Sequence, residues 1–279
     1  MSEAIKAVTF VNLIFVIFLM LSGTVGGLFG ELVYYLAFLI PIALGFYVSS
    51  GLKIKREEIA GVSEPPERIL SFDIKKGRVI LPLIFPSVTV IFLVSFITAL
   101  LLSVFGVNTT PVADDGIFKM LLVHAVVPAL FEEALFRYVP IKLLLPYSKR
   151  LCVFYSALCF ALIHCSFAQM PYAFVAGVIF MIIDVALESV WPSVILHLVN
   201  NSASVIWMKY CSENTASWIF ISVLLILTLV SCVIIYRHRE EYRDTFYGAL
   251  DKGEGFAVTY APAILIIICS YIATVELIS

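Results

Sequence analysis

The chain has 279 residues, of which 62% are hydrophobic and 14% are charged, and its formal net charge is −2. Average soluble domains carry about 25% charged and about 45–50% apolar residues. The composition, with a mean hydropathy of +1.05, excludes an ordinary soluble protein, and the charge gives no sign of a nucleic-acid partner. The sequence therefore predicts an integral membrane protein in contact with lipid.

Apolar runs of about twenty residues predict nine membrane spans. In chain order they cover residues 8–28, 32–50, 79–105, 118–145, 151–167, 172–187, 193–208, 218–236 and 257–278. One middle segment could be re-entrant, which would leave eight. We therefore expect an all-α fold, a polytopic bundle of eight or nine helices. It forms a single membrane domain over residues 1–279, with its core at about 118–208.

Lysine and arginine cluster in two connections of this predicted bundle. The first is the polar segment 51–78, and the second is the segment between the last two predicted spans. Cytoplasmic connections of membrane proteins are rich in these residues. The pattern predicts a cytoplasmic N-terminus and makes 51–78 a cytoplasmic loop. Six scattered cysteines without a C-x-x-C pair are interpreted as small buried residues, with Cys211 the one exposed thiol.

The fourth predicted span contains the sequence FEEALFRYVP, which places Glu132, Glu133 and Arg137 in an apolar run. One such charge near the bilayer centre costs about 2.5–3.5 kcal/mol. Glu133 and Arg137 are four residues apart, on one helix face, and can form an ion pair. Glu132 is turned about 100° away. We expect the pair to support the structure and Glu132 to be functional, although the three could simply cross-link helices.

Two further predicted spans carry histidine. In FALIHCSF, Phe160 and His164 are four residues apart, and in LHLVNNS, His197 and Asn201 have the same spacing. A single histidine in an apolar helix is more often a packing residue. Two histidines and an asparagine on helices separate from the glutamates point instead to a shared polar cavity. His124 is interpreted as a packing residue.

Two mechanisms suit this set of residues. In the first, Glu132 and His164 hold a water, Glu132 removes its proton, and the hydroxide attacks a peptide carbonyl while His197 and Asn201 donate to the oxyanion. In the second, Glu132, His164 and His197 bind Zn²⁺, which activates the water. We favour the first, with no cofactor, because the H-E-x-x-H pattern is absent and asparagine is a weak zinc ligand.

The three ordered motifs E-E-x-x-x-R, F-x-x-x-H and H-x-x-x-N resemble those of the CPBP intramembrane proteases, the group of CAAX prenyl endopeptidases and bacteriocin-processing (Abi) proteins. The resemblance covers residues 121–207. It implies about eight spans around a cavity open to the cytoplasm, with Glu132 as general base, His164 positioning the water, and His197 and Asn201 stabilising the oxyanion. Glu133, Arg137 and Phe160 would support the site.

The expected function is therefore hydrolysis of a peptide bond in a membrane-associated substrate, either a prenylated CAAX protein or a peptide precursor. A proton-coupled transporter and a non-catalytic membrane scaffold are alternatives, because buried Glu and His also build proton relays. The absence of an internal repeat disfavours a transporter. The short connections favour a bacterial plasma membrane over the endoplasmic reticulum. Oligomeric state cannot be read from the sequence.

Overall fold

The computed structural model describes residues 2–25, 27–57, 69–71, 74–105, 115–211 and 214–247. Within these residues the chain is helical and contains no strand. Five consecutive segments from Ile117–Leu121 to Val139–Leu143 form one continuous helix, which gives nine helices in the described part. They are α1 (Ser2–Val25), α2 (Gly27–Glu57), α3 (Ile74–Val104), α4 (117–143), α5 (Lys149–Leu162), α6 (Met170–Leu187), α7 (Trp191–Tyr210), α8 (Asn214–Arg237) and α9 (Arg239–Phe246).

The prediction of an all-helical membrane bundle is confirmed. Helices α1 to α8 correspond to the first eight predicted spans, and α9 is a short helix after them. The ninth predicted span, 257–278, lies outside the described residues. Among those residues, five helices are long and apolar enough to cross a membrane: α1, α2, α3, α6 and α8. Helices α4, α5 and α7, which carry the three motifs, are not among the five.

Three boundaries differ from the prediction in ways that matter for the site and its surroundings. Helix α2 continues to Glu57 and α3 begins at Ile74, so the ends of the predicted loop 51–78 are helical. Helix α5 ends at Leu162, five residues before the predicted boundary. His164 therefore lies in the turn after α5, and Cys165 follows with a left-handed φ of 46°. An apolar sequence does not show where the backbone leaves the helix.

Helix α4 is irregular because it contains two prolines. Wide π turns at Leu122–Val126 and Ala134–Tyr138 alternate with α-helical segments that begin with Val127–Pro128 and Val139–Pro140. Proline has no N–H to donate to the carbonyl four residues earlier. The carbonyls of His124 and Phe136 are consequently released from the helix ladder. Both carbonyls accept hydrogen bonds from side chains of other helices.

The helices pack mainly as antiparallel neighbours: α1 against α2, α5 against α6 and α3 against α8. Helix α7 contacts both α4 and α6, so it lies inside the bundle beside the two glutamates. Gly177 of α6 allows a close crossing with α5, because a Cβ there would lie 2.7 Å from Ala157 Cα. Phe160 of α5 and Phe180 of α6 both pack against His197 of α7.

One end of the bundle is defined by hydrogen bonds between connections. Ser189 Oγ and Trp191 Nε1, at the α6–α7 corner, donate to the carbonyls of Ser71 and Leu70 at 3.0 and 2.7 Å. Tyr242 of α9 donates to the carbonyl of Val79 at 3.2 Å. The start of α3, the α6–α7 corner and the end of α8 therefore lie together. We call this the basic end, because the lysine- and arginine-rich connections join it.

The interpretation of the cysteines is wrong at two positions, and Cys269 lies outside the described residues. Cys211 is buried at the end of α7, whereas Cys232 on α8 is exposed. The carbonyl of Cys211 accepts a hydrogen bond from Ser217 Oγ at 2.6 Å, so the first turn of α8 contacts this residue.

Candidate active site

The buried ion pair of α4 forms as its spacing predicts. Arg137 Nε lies 3.1 Å from Glu133 Oε2, and both side chains are fully buried. Arg137 Nη1 donates to Ser156 Oγ of α5 at 3.0 Å and to the carbonyl of Phe136 at 3.2 Å. The Ser156 hydroxyl donates to that same carbonyl. The carbonyl released by Pro140 thus helps to hold the guanidinium.

His197 is held by the second oxygen of Glu133. The distance from His197 Nδ1 to Glu133 Oε1 is 2.7 Å, and His197 is almost completely buried. A carboxylate on one ring nitrogen fixes the orientation of the ring and the tautomer. Nδ1–H therefore donates to Glu133, and Nε2 points towards Glu132, whose Oε2 is 3.9 Å away. The glutamate assigned to structural support orients a histidine as well as the arginine.

Asn201 connects His197 to α4. Its amide Nδ2 lies 3.0 Å from His197 Nε2 and donates to the carbonyl of His124 at 2.9 Å. That carbonyl is the one released by Pro128. The neighbouring Asn200 donates from Nδ2 to Asn201 Oδ1 at 3.2 Å, which fixes the orientation of the Asn201 amide. Both amide hydrogens of Asn201 consequently have acceptors within the protein.

His164 faces the same space from the turn after α5. Its Nδ1 is 2.9 Å from the carbonyl of Phe160, so Nδ1–H donates and Nε2 is left as an acceptor. The Phe160 ring separates the histidines, with centroid distances of 5.3 Å to His164 and 5.5 Å to His197. Arg137 lies over the same ring at 4.6 Å, an arrangement typical of a cation–π contact.

A cavity of about 470 Å³ joins these side chains. Its polar lining comprises Tyr34, Tyr35, His124, Glu132, His164, Gln169, Tyr172, His197, Asn200, Asn201 and Ser204. A smaller cavity of about 170 Å³ adjoins it, and Glu132 and His164 line both. The structure thus brings Glu132, His164, His197 and Asn201 around one cavity. Their catalytic roles remain predictions.

The cavity opens away from the basic end. Its outer lining comes from the starts of α2, α4 and α6 and from the last turns of α7, including His124, Gln169 and Met208. Lys209, at the end of α7, donates to the carbonyl of Asp115 before α4 at 3.0 Å, which links α7 to the start of α4 at this end. The predicted cytoplasmic N-terminus and the predicted cytoplasm-facing cavity therefore exclude each other.

Sequence reasoning missed three parts of the site. Asp184 of α6 is a fully buried carboxylate, and its signal was an acidic residue within the apolar run MIIDVAL. Asn200 lines the cavity beside Asn201, but the motif spacing selected Asn201 alone. His124 contributes its backbone carbonyl, and its exposed side chain lies at the cavity mouth. A backbone contact of this kind has no side-chain signature in the sequence.

The side chains do not fit the zinc alternative. Within the described residues, no group of three His, Cys, Asp or Glu side chains is placed to hold a metal ion. Both ring nitrogens of His197 already have protein partners, Glu133 and Asn201. Binding Zn²⁺ between Glu132, His164 and His197 would require at least one of these contacts to break.

The fold and this cavity define the class: an integral membrane helical bundle with a buried polar cavity of glutamate, histidine and asparagine. Residues 114–203 match the family model described as type II CAAX prenyl endopeptidase Rce1-like. The match supports the resemblance to the CPBP intramembrane proteases read from the motifs, and it indicates a protease. No curated protein and no solved structure matches the chain.

Proposed function

We propose that the protein is a metal-free intramembrane endopeptidase in which Glu132 is the general base. The observation that carries the proposal is the placement of His197, held by Glu133 on one nitrogen and facing Glu132 across the cavity with the other. A packing histidine would need neither a buried carboxylate nor an adjoining cavity. The family match supports a membrane-associated peptide or prenylprotein as substrate.

The proposed reaction begins with a water between Glu132 and His164. The water donates one hydrogen to the Glu132 carboxylate and the other to His164 Nε2, which is free because Nδ1–H is bonded to Phe160. Glu132 removes the proton as the water oxygen attacks the peptide carbonyl carbon. When the tetrahedral intermediate breaks, Glu132 returns this proton to the leaving amine. General acid–base catalysis of this kind contributes about 10²–10⁴-fold.

His197 and Asn201 would stabilise the oxyanion of that intermediate. With His197 neutral, Nε2 accepts from Asn201. In the reactive state His197 would carry a second proton, taken up from solvent before the substrate binds and kept throughout the reaction, so that Nε2 is a donor. Nε2–H and an N–H of Asn201 Nδ2, whose nitrogens are 3.0 Å apart, would then turn to one shared acceptor. Glu133 would balance the positive charge of the ring. A donor aimed at an oxyanion typically contributes about 2.7–4 kcal/mol.

The test uses purified protein in nanodiscs with a prenylated CAAX peptide and with a leader-peptide precursor, each with and without a chelator. We expect cleavage that the chelator does not change. Glu132→Gln should lower kcat by about 10²–10⁴-fold while the protein stays folded. Glu31→Gln, at an exposed position of α2, is the matched control and should cleave normally.

Several results would contradict the proposal. Cleavage by Glu132→Gln at the wild-type rate would show that Glu132 is not the general base. Loss of activity with the chelator would favour the metal-dependent mechanism. Proton flux in liposomes without cleavage of either peptide would favour the transporter.

We also propose that the N-terminus is cytoplasmic, in a bacterial plasma membrane, with the cavity opening on the opposite side. The support is the distribution of charge: Arg78, Arg237, Arg239 and Arg243 lie at the basic end, whereas Lys119 and Lys209 are near the cavity mouth. The positive-inside rule makes the basic end cytoplasmic. This orientation favours a peptide precursor over a cytoplasmic prenylated protein.

Thiol labelling tests the orientation. Gln169→Cys places a thiol at the cavity mouth, and Arg239→Cys places one at the basic end, in a chain whose exposed Cys232 is replaced by serine. An impermeant maleimide added to intact cells should label the first and not the second. The reverse pattern would show that the cavity faces the cytoplasm and would favour the prenylated substrate.

A further inference from the structure

Asp184 is a buried carboxylate that lies outside the three motifs. It belongs to the last turn of α6 and is fully buried. Its Oδ1 accepts the backbone N–H of Ser193, in the first turn of α7, at 3.0 Å. Its Oδ2 has no hydrogen-bond partner among the described residues. Burying a carboxylate without a partner is costly, so the packing of α6 against α7 is constrained to keep this hydrogen bond.

The contact supplies what the start of α7 lacks. The first N–H groups of a helix have no partner within it, and inside a membrane bundle water is scarce. The acidic side chain also suits the positive end of the helix dipole. The side chain of α7's own N-cap residue, Val190, makes no capping hydrogen bond. Ser189 Oγ accepts the Trp191 N–H at 3.4 Å, and Asp184, from a different helix, caps the N–H of Ser193.

Ser193, His197 and Asn201 are spaced four residues apart and share one face of α7. This face is held at both ends. Asp184 binds the N–H of Ser193 at one end, and the His124 carbonyl accepts from Asn201 at the other, at 2.9 Å. Between them, His197 reaches Glu133 at 2.7 Å. A shift of the first turn of α7 would move His197 relative to Glu132.

Asp184 also belongs to the charged layer beneath the cavity. It interacts electrostatically with Glu133 and Arg137, and Ser193 is a neighbour of both carboxylates. Arg137 Nη2, like Asp184 Oδ2, has no hydrogen-bond partner in the described part of the chain. The carboxylate is thus continuous with the residues that orient His197, although it does not line the cavity.

We propose that Asp184 is a positioning residue: by accepting the Ser193 N–H it fixes the height and rotation of α7, and thereby the distance from His197 to Glu132. The proposal rests on the proposed proteolysis. Asp184 makes no contact with the reacting atoms in this mechanism. Its effect should therefore fall on kcat and leave substrate binding nearly unchanged.

Three substitutions test this assignment on the full chain in nanodiscs. Asp184→Asn keeps an oxygen for the Ser193 N–H and should retain kcat within about threefold. Asp184→Leu removes the acceptor and should lower kcat by about 10²-fold, the size expected for a small displacement of a catalytic group, with KM within about threefold. If the Asp184→Leu variant does not fold, the Asp184→Ala variant is used in its place. Glu188→Gln, an exposed acidic position at the end of α6, is the control.

The outcomes separate this inference from the proposed function. If the wild-type protein cleaves and Glu132→Gln does not, the proteolysis stands. A loss in Asp184→Asn as large as in Asp184→Leu would then overturn the acceptor role, and so would a change confined to KM or to the melting temperature. Rescue by Asn together with loss of kcat in Leu or Ala would support it. If the wild-type protein cleaves neither peptide, the proposed function itself fails.

Discussion

Helices α4 and α8 show two ways of placing a helix in a membrane bundle. Helix α8 is strongly apolar, and only 6% of the residues in its most apolar stretch are buried inside the protein. Helix α4 buries Glu132, Glu133 and Arg137, and two π turns interrupt it. The comparison teaches that charge and free carbonyl groups are found where other helices, rather than lipid, surround the backbone. The site depends on both.

The largest expected effect is on stability, from breaking the α4 ion pair. Arg137→Leu leaves Glu133 as a buried carboxylate without its cation. Removing one partner of a buried pair costs about 3–5 kcal/mol, so the free energy of unfolding in detergent should fall by that amount. Arg237→Leu, at the exposed end of α8, should change it by less than about 0.5 kcal/mol. Equal losses would mean that α4 and α8 do not differ as described.

A smaller effect should come from restoring the hydrogen bond that Pro128 removes. Pro128→Ala supplies an N–H that competes with Asn201 for the His124 carbonyl. Proline in a helix interior costs about 3 kcal/mol, so stability should rise, while kcat should fall about tenfold, less than the loss of a whole oxyanion donor. Protein unfolding and peptide cleavage are measured on the same preparation.

The matched control for this variant is Pro86→Ala in α3. Pro86 also lies inside a helix, but α3 contributes no residue to the cavity lining. This substitution should raise stability without lowering kcat. A fall in kcat in both variants would show that helix flexibility, rather than the released His124 carbonyl, affects the reaction.

The sequence predicts the parts of the site that follow from spacing along one helix. The Glu133–Arg137 pair and the common face of His197 and Asn201 both follow from a separation of four residues. The proteolytic family follows from three short motifs. These features are local, so a single helix is enough to define them.

The remaining features depend on how different helices meet. Asp184 reaches Ser193 only because α6 and α7 form a tight corner, and Asn201 reaches His124 only because Pro128 frees a carbonyl on α4. The direction of the cavity is a further example. The charge distribution makes the basic end cytoplasmic, whereas the family resemblance implies a cavity open to the cytoplasm. The two conflict because the structure places the cavity mouth at the end away from the arginines.

The smallest expected effect concerns a polar contact between α8 and α3. Thr89 Oγ1 and Thr228 Oγ1 are 2.7 Å apart in a half-buried setting. Interhelical hydrogen bonds in membrane proteins average about 0.6 kcal/mol, so Thr228→Val should lower stability by about that amount and leave kcat unchanged. The double variant with Thr89→Val should cost little more, because neither hydroxyl is then left unpaired. A loss comparable to that of Arg137→Leu would show that α8 also depends on buried polar contacts, and the contrast with α4 would then reflect charge alone.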